Sequence, residues 1–122
     1  MYKRQDDLHL LNGYWQIVKV DFPSGESKAY KLGNSVDYIY LDGDKGYRKK
    51  VQPTIIGGFE TSNDAQNFEI STSEGSFLMV YQNSLSGWTE RLIEVQSNSF
   101  SVSNDEGIVY NYKRYEPINL TE

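Results

Sequence analysis

Few side chains in this sequence could do chemistry. His9 is the only histidine. A lone imidazole builds neither a histidine metal cluster nor a Ser, His, Asp triad without positioned partners, and His9 precedes the first strand-like run, at an expected surface position. The chain contains no cysteine, so disulfides, thiolate metal sites and a cysteine nucleophile are excluded within it. Asp42-Gly43-Asp44-Lys45-Gly46 has the opening of a calcium loop. It lacks the third acidic ligand and the distal Glu of that motif, and a hairpin turn accounts for it. Glu90 and Glu94 would share one face of a strand roughly 13 Å apart, too far for a glycosidase carboxylate pair. No nucleophile, base and orienting group come together, so no catalytic residue, no metal and no cofactor is expected.

Arg48-Lys49-Lys50 is the basic run of the chain. On a strand, Lys49 points opposite to Arg48 and Lys50, so at most two of the three can face one ligand. The plainer account is a solvated strand whose charge blocks aggregation. Better ligand candidates are groups that strand alternation turns inward. On the last strand Ile108, Tyr110, Tyr112 and Arg114 share one face, and the wetter set Val109, Asn111, Lys113 and Tyr115 faces out. On the strand after Trp88, the carboxylates of Glu90 and Glu94 mark the expected exterior, which turns Arg91 inward. Arg91, Tyr110 and Tyr112, with Tyr38, are therefore the candidate ligand-binding residues, because a few polar groups in an aromatic pocket orient an amphiphile. The alternative for them is a packed core of hydrogen-bonded tyrosines with an internally paired arginine.

These residues sit in a pattern of short strands. Runs rich in Val, Ile, Tyr, Phe and Trp are separated by Gly, Asn, Asp and Ser clusters, as in a β-meander. The strands are expected over residues 14–20, 36–41, 46–51, 54–61, 67–72, 76–82, 88–96, 100–103 and 108–115. Turns are expected at 42–44, 62–64, 84–87 and 104–107. One short helical turn precedes them at Asp6–Leu11, before Asn12-Gly13. Such short connections permit only antiparallel neighbours, and closure removes exposed edges. The expected fold is all-β: a single antiparallel up-and-down barrel of about eight strands with a short N-terminal helical turn.

At 122 residues, the chain suits one domain with one core. Its composition, 38% hydrophobic and 14% aromatic, is too rich in core-forming side chains for disorder. A net charge of −5 and the lack of a long basic stripe argue against nucleic acid. No stretch approaches the ~20 apolar residues that span a bilayer as a helix. Residues 1–5, Met1-Tyr-Lys-Arg-Gln5, resemble a translated adapter fragment and are read as a non-native leader, with the domain over 6–122.

The chain ends carry a resemblance. Gly13-Tyr14-Trp15 opens the first strand just after a helical turn, and Arg114 closes the last. This resembles the lipocalin and wider calycin pattern, in which a GxW tryptophan packs under an arginine of the final strand and closes the barrel base. Gly13, Trp15 and Arg114 are the matching positions. The run from Leu11 to Pro117 is more closely similar to lipocalin-like envelope lipoproteins of Bacteroidota, through Asp37-Tyr38-Ile39, Arg48-Lys49-Lys50-Val51-Gln52-Pro53 and Tyr112-Lys113-Arg114-Tyr115-Glu116-Pro117. The chain is shorter than typical lipocalins and lacks their C-terminal helix and disulfide, which implies a narrower interior. The resemblance implies a non-enzymatic monomer on the periplasmic side of an envelope, held there only by a lipid anchor upstream of this chain, binding a small hydrophobic or amphipathic molecule. The rival is a barrel filled by its own aromatics that acts as a structural or protein-interaction module.

Overall fold

A computed structural model describes residues 5–30, 36–53, 59–61, 65–82 and 87–115. A 3-10 helix over Gln5–Leu11 leads into strands β1 (Gly13–Asp21), β2 (Ser27–Ala29), β3 (Val36–Asp42), β4 (Lys45–Pro53), β5 (Phe59–Thr61), β6 (Gln66–Ser73), β7 (Ser76–Gln82), β8 (Gly87–Val95), β9 (Ser99–Ser103) and β10 (Val109–Arg114). The expected strand over 54–61 is described only at 59–61, while the turns at 62–64 and 84–86 and residues 1–4 lie outside the described residues.

Antiparallel pairing runs β1-β3-β4-β6-β7-β8-β9-β10, and β10 returns to β1 through Trp15 opposite Arg114 and Ile17 opposite Tyr112. The expected closed up-and-down barrel is the observed one. Two short strands fill in at its upper part: β2 continues the pairing of β1 where β3 leaves it, and β5 does the same for β4 beyond β6. The three-residue β2 escapes a pattern reading because all its side chains are exposed and carry no alternation.

The expected hairpin at Asp42 is present. Asp42 pairs with Lys45, and Gly43 takes a φ of 67°, the left-handed backbone such a two-residue turn needs.

The lower half of the barrel is filled. Leu11, Trp15, Ile39, Met79, Phe100 and Val102 are fully buried there. Leu8 and Leu11 of the 3-10 helix plug the base, and Trp15 donates its indole N–H to the Leu11 carbonyl at 2.9 Å. Burying side chains of this size stabilises the fold by about 1.5–3 kcal/mol each.

Arg114 closes this end. Its guanidinium carbon stands 3.9 Å from the Trp15 ring centroid, and it donates to the carbonyls of Leu10, Asn12 and Ser97 at 2.6–3.2 Å. One arginine therefore ties the helix, β1 and the β8–β9 turn together. Gly13, at φ 125°, leaves room for it, since a Cβ there would run into Arg114 Nη1.

Candidate functional site

Above this apolar floor the inner face turns polar. Arg48 projects inward from the middle of β4, where Gly46, Arg48 and Lys50 oppose the inward Leu41, Ile39 and Asp37 of β3. Its side chain is 14% exposed, and a buried guanidinium is tolerable only with its donors satisfied. Four oxygens take its four terminal N–H donors: Nη2 donates to Asp37 Oδ2 at 2.8 Å and Tyr112 Oη at 2.6 Å, and Nη1 to Tyr81 Oη at 3.2 Å and Glu90 Oε1 at 3.4 Å. Partners from β3, β7, β8 and β10 thus converge on one side chain from β4.

The two carboxylates differ. Burial alone would push Asp37 up, but Arg48 and Lys50 outweigh it and hold its carboxyl below the ordinary range; Lys50 Nζ reaches Asp37 Oδ1 at 3.0 Å. Among the described residues Glu90 has the long contact to Arg48 and a bond from the Tyr81 hydroxyl, and burial outweighs both and raises its pKa. Burial also raises the Tyr81 and Tyr112 hydroxyls, which stay protonated. Arg48, already committed to four acceptors, organises the floor and has no spare fork for an incoming anion.

Over this floor opens a cup of about 420 Å³, walled by Lys50, Gln66, Tyr81, Trp88, Glu90 and Tyr112 among others. Trp88 stacks flat on Tyr81, with centroids 4.9 Å apart and planes 8° from parallel. It remains 41% exposed, so an indole on the inner face presents its free side at the opening. Tyr112 lies parallel to Phe100 at 4.6 Å, which links the polar cup to the apolar floor.

Tyr110 and Tyr112 face inward, as the alternation of the last strand implies: Tyr112 is buried, and Tyr110 packs against the core. The inward placement of Arg91 is corrected. Arg91 lies on the outer surface, bonded to Ser76 Oγ at 3.0 Å. The faces of β8 are the reverse of those expected, with Glu90 and Leu92 turned in and Thr89 and Ile93 out. A bulge between Leu92 and Glu94 then shifts the register, so Glu94 points out and Val95 returns to the core. Glu90 and Glu94 consequently do not share a face, and Glu90 is not surface charge.

Tyr38 also lies on the outer face. It packs with Tyr14 at 4.8 Å and Tyr47 at 6.1 Å, while its neighbours Asp37 and Ile39 point in. The basic run divides as alternation requires, Lys49 toward the Tyr47 ring and Arg48 and Lys50 toward Asp37. Solvated charge is the wrong account for Arg48, whose partners lie 11 to 64 residues away in sequence. His9 is exposed on the 3-10 helix.

The fold has counterparts among solved structures. A lipocalin-like protein from Bacteroides uniformis superposes with a TM-score of 0.52 at 11% identity, over 87% of this chain and 99% of that one. The fold is lipocalin-like. Apocrustacyanin C1 and apocrustacyanin C2 superpose on this lipocalin-like barrel with the same TM-score, at 12% and 13% identity, each over 97% of this chain and 68% of theirs. No family model matches the sequence, and no curated protein does.

Proposed function

We propose that this lipocalin-like barrel is a non-catalytic binding protein that holds one small amphipathic molecule in the cup above Arg48. The observation that carries this reading is Trp88. A large aromatic ring left exposed on the inner face, stacked on Tyr81 beside a hydrogen-bonded charged floor, combines the apolar wall and the few convergent polar groups of ligand pockets. An eight-stranded barrel has room for side chains or for one small ligand, and here the lower half takes the first course and leaves the upper half for the second. The ring of the ligand or its chain lies against Trp88, and its polar end meets the polar groups beside that ring, Gln66, Glu90 and the hydroxyl of Tyr112 among them. A monomer in the cell envelope, anchored only by a lipid upstream of this chain, is part of the same proposal. Its support is the sequence resemblance.

Fluorescence tests it. Trp15 is fully buried and Trp88 exposed, so a ligand in the cup should change the emission of Trp88 and not of Trp15. Titration of a panel of fatty acids, isoprenoids and aromatic amphiphiles is expected to give a saturable change that Trp88→Phe abolishes. A flat response to the whole panel contradicts the proposal and favours the second reading, a protein-interaction module. The packed lower half and the outer row of Tyr14, Tyr38, Tyr40 and Tyr47 support that second reading.

A further inference from the structure

A second cleft of about 310 Å³ shares Trp88, Glu90 and Tyr112 with the cup and is completed by Asn104, Asp105 and Tyr110. The two differ in charge. In the cup the inward cations Arg48 and Lys50 stand beside the carboxylates of Asp37 and Glu90, whereas the described residues of the second cleft include the carboxylates of Glu90 and Asp105 and no Lys or Arg. Rings of Trp88, Tyr110 and Tyr112 line the same space.

From this geometry we infer that the second cleft receives a cationic nitrogen, so that the ligand of the cup is an amine or quaternary ammonium amphiphile whose charged end sits against Glu90. The inference rests on the binding role proposed above and names the chemical class of the ligand.

Glu90 is the under-compensated carboxylate of the interior. Asp37 has two cations within 3.0 Å, whereas Glu90 has one at 3.4 Å, and that guanidinium is shared with Asp37. Burial raises its pKa, and Arg48 with the Tyr81 hydroxyl offsets that only in part. A ligand ammonium beside Glu90 supplies what Arg48 does not, in a partly desolvated site where ion pairs and charge-assisted hydrogen bonds are strong. Aromatic faces around a cation add attraction through the ring quadrupole. An anion in the same cleft would meet two carboxylates.

Three probes with one ring and different heads separate the possibilities: 2-phenylethylamine, 2-phenylethanol and 3-phenylpropanoate, each titrated calorimetrically into the intact chain. The amine is expected to bind roughly tenfold more tightly than the alcohol, the worth of one charge-assisted bond, and the carboxylate most weakly. Glu90→Gln should remove the difference between the amine and the alcohol, both measured in that variant. Asp105→Asn, on an exposed turn at the other side of the cleft wall from the Arg48 hydrogen bonds, in which Asp105 takes no part, should weaken the amine alone and keeps the test intact if Glu90→Gln does not fold. Tightest binding by the carboxylate, equal binding of amine and alcohol, or an amine preference that survives both substitutions overturns the inference and leaves the binding role standing. No binding by these probes or by the wider amphiphile panel overturns both.

Discussion

Arg48 and Asp37 face each other across the β3–β4 pair at 2.8 Å, both nearly buried. The pair gives charge a place inside a small barrel because Tyr81, Tyr112, Glu90 and Lys50 take up the remaining hydrogen bonds.

Removing one member should therefore be costly. Arg48→Met leaves Asp37 and Glu90 facing each other without their shared cation and is expected to destabilise the fold by about 3–5 kcal/mol, measured by urea unfolding. Adding Glu90→Gln to Arg48→Met should recover part of that loss. A purely additive double variant would show that the two side chains are not coupled.

The two carboxylates give opposite pH signatures. Asp37 is held below its ordinary value, so its contribution is present above the ordinary Asp range and lost as pH falls through the lower folded value. Glu90 is held above its ordinary value. Its contribution is present below the ordinary Glu range and lost as pH rises through the higher folded value. Stability curves against pH should thus have a shallower acid-side fall in Asp37→Asn, and in Glu90→Gln should decline less between the ordinary and raised values. The reverse assignment would contradict the electrostatic account.

At the base, Trp15→Ala removes a fully buried indole, its bond to Leu11 and the platform under Arg114. A loss of about 3–5 kcal/mol is expected in denaturant melts. An unchanged midpoint would show that Trp15 does not hold the barrel closed.

Gly13→Ala acts on the same closure from the other side. The backbone at φ 125° disfavours any side chain, and the new Cβ meets the Arg114 guanidinium. The expected cost is about 1–3 kcal/mol from the backbone alone, with displacement of Arg114 visible as altered emission from Trp15. Wild-type stability in this variant would mean that the arginine has room to move.

What was legible in the sequence was whatever depends on neighbours in the chain. Alternation places Tyr110 and Tyr112 inward and separates Lys49 from Arg48 and Lys50, and the turn residues at 42–44 mark the β3–β4 hairpin. Trp15 and Arg114 could be paired through the family resemblance, although 99 positions apart. The faces of β8 could not be read, because the usual meaning of a carboxylate, exterior, fails for Glu90. Its partner Arg48 lies 42 residues earlier, and the bulge at Ile93 breaks the period that would have exposed the error. Tyr38 misled for a related reason: both faces of β3 carry apolar or aromatic residues, and the single buried acid, Asp37, marks the inner one.

The central claim is that the upper barrel is a binding site, and native mass spectrometry of protein purified from its own or a related host tests it most directly. A defined extra mass that survives gentle ionisation and is lost in Trp88→Ala is the expected result. A bare chain, unchanged in mass after addition of cationic, neutral and anionic amphiphiles in turn, would contradict it.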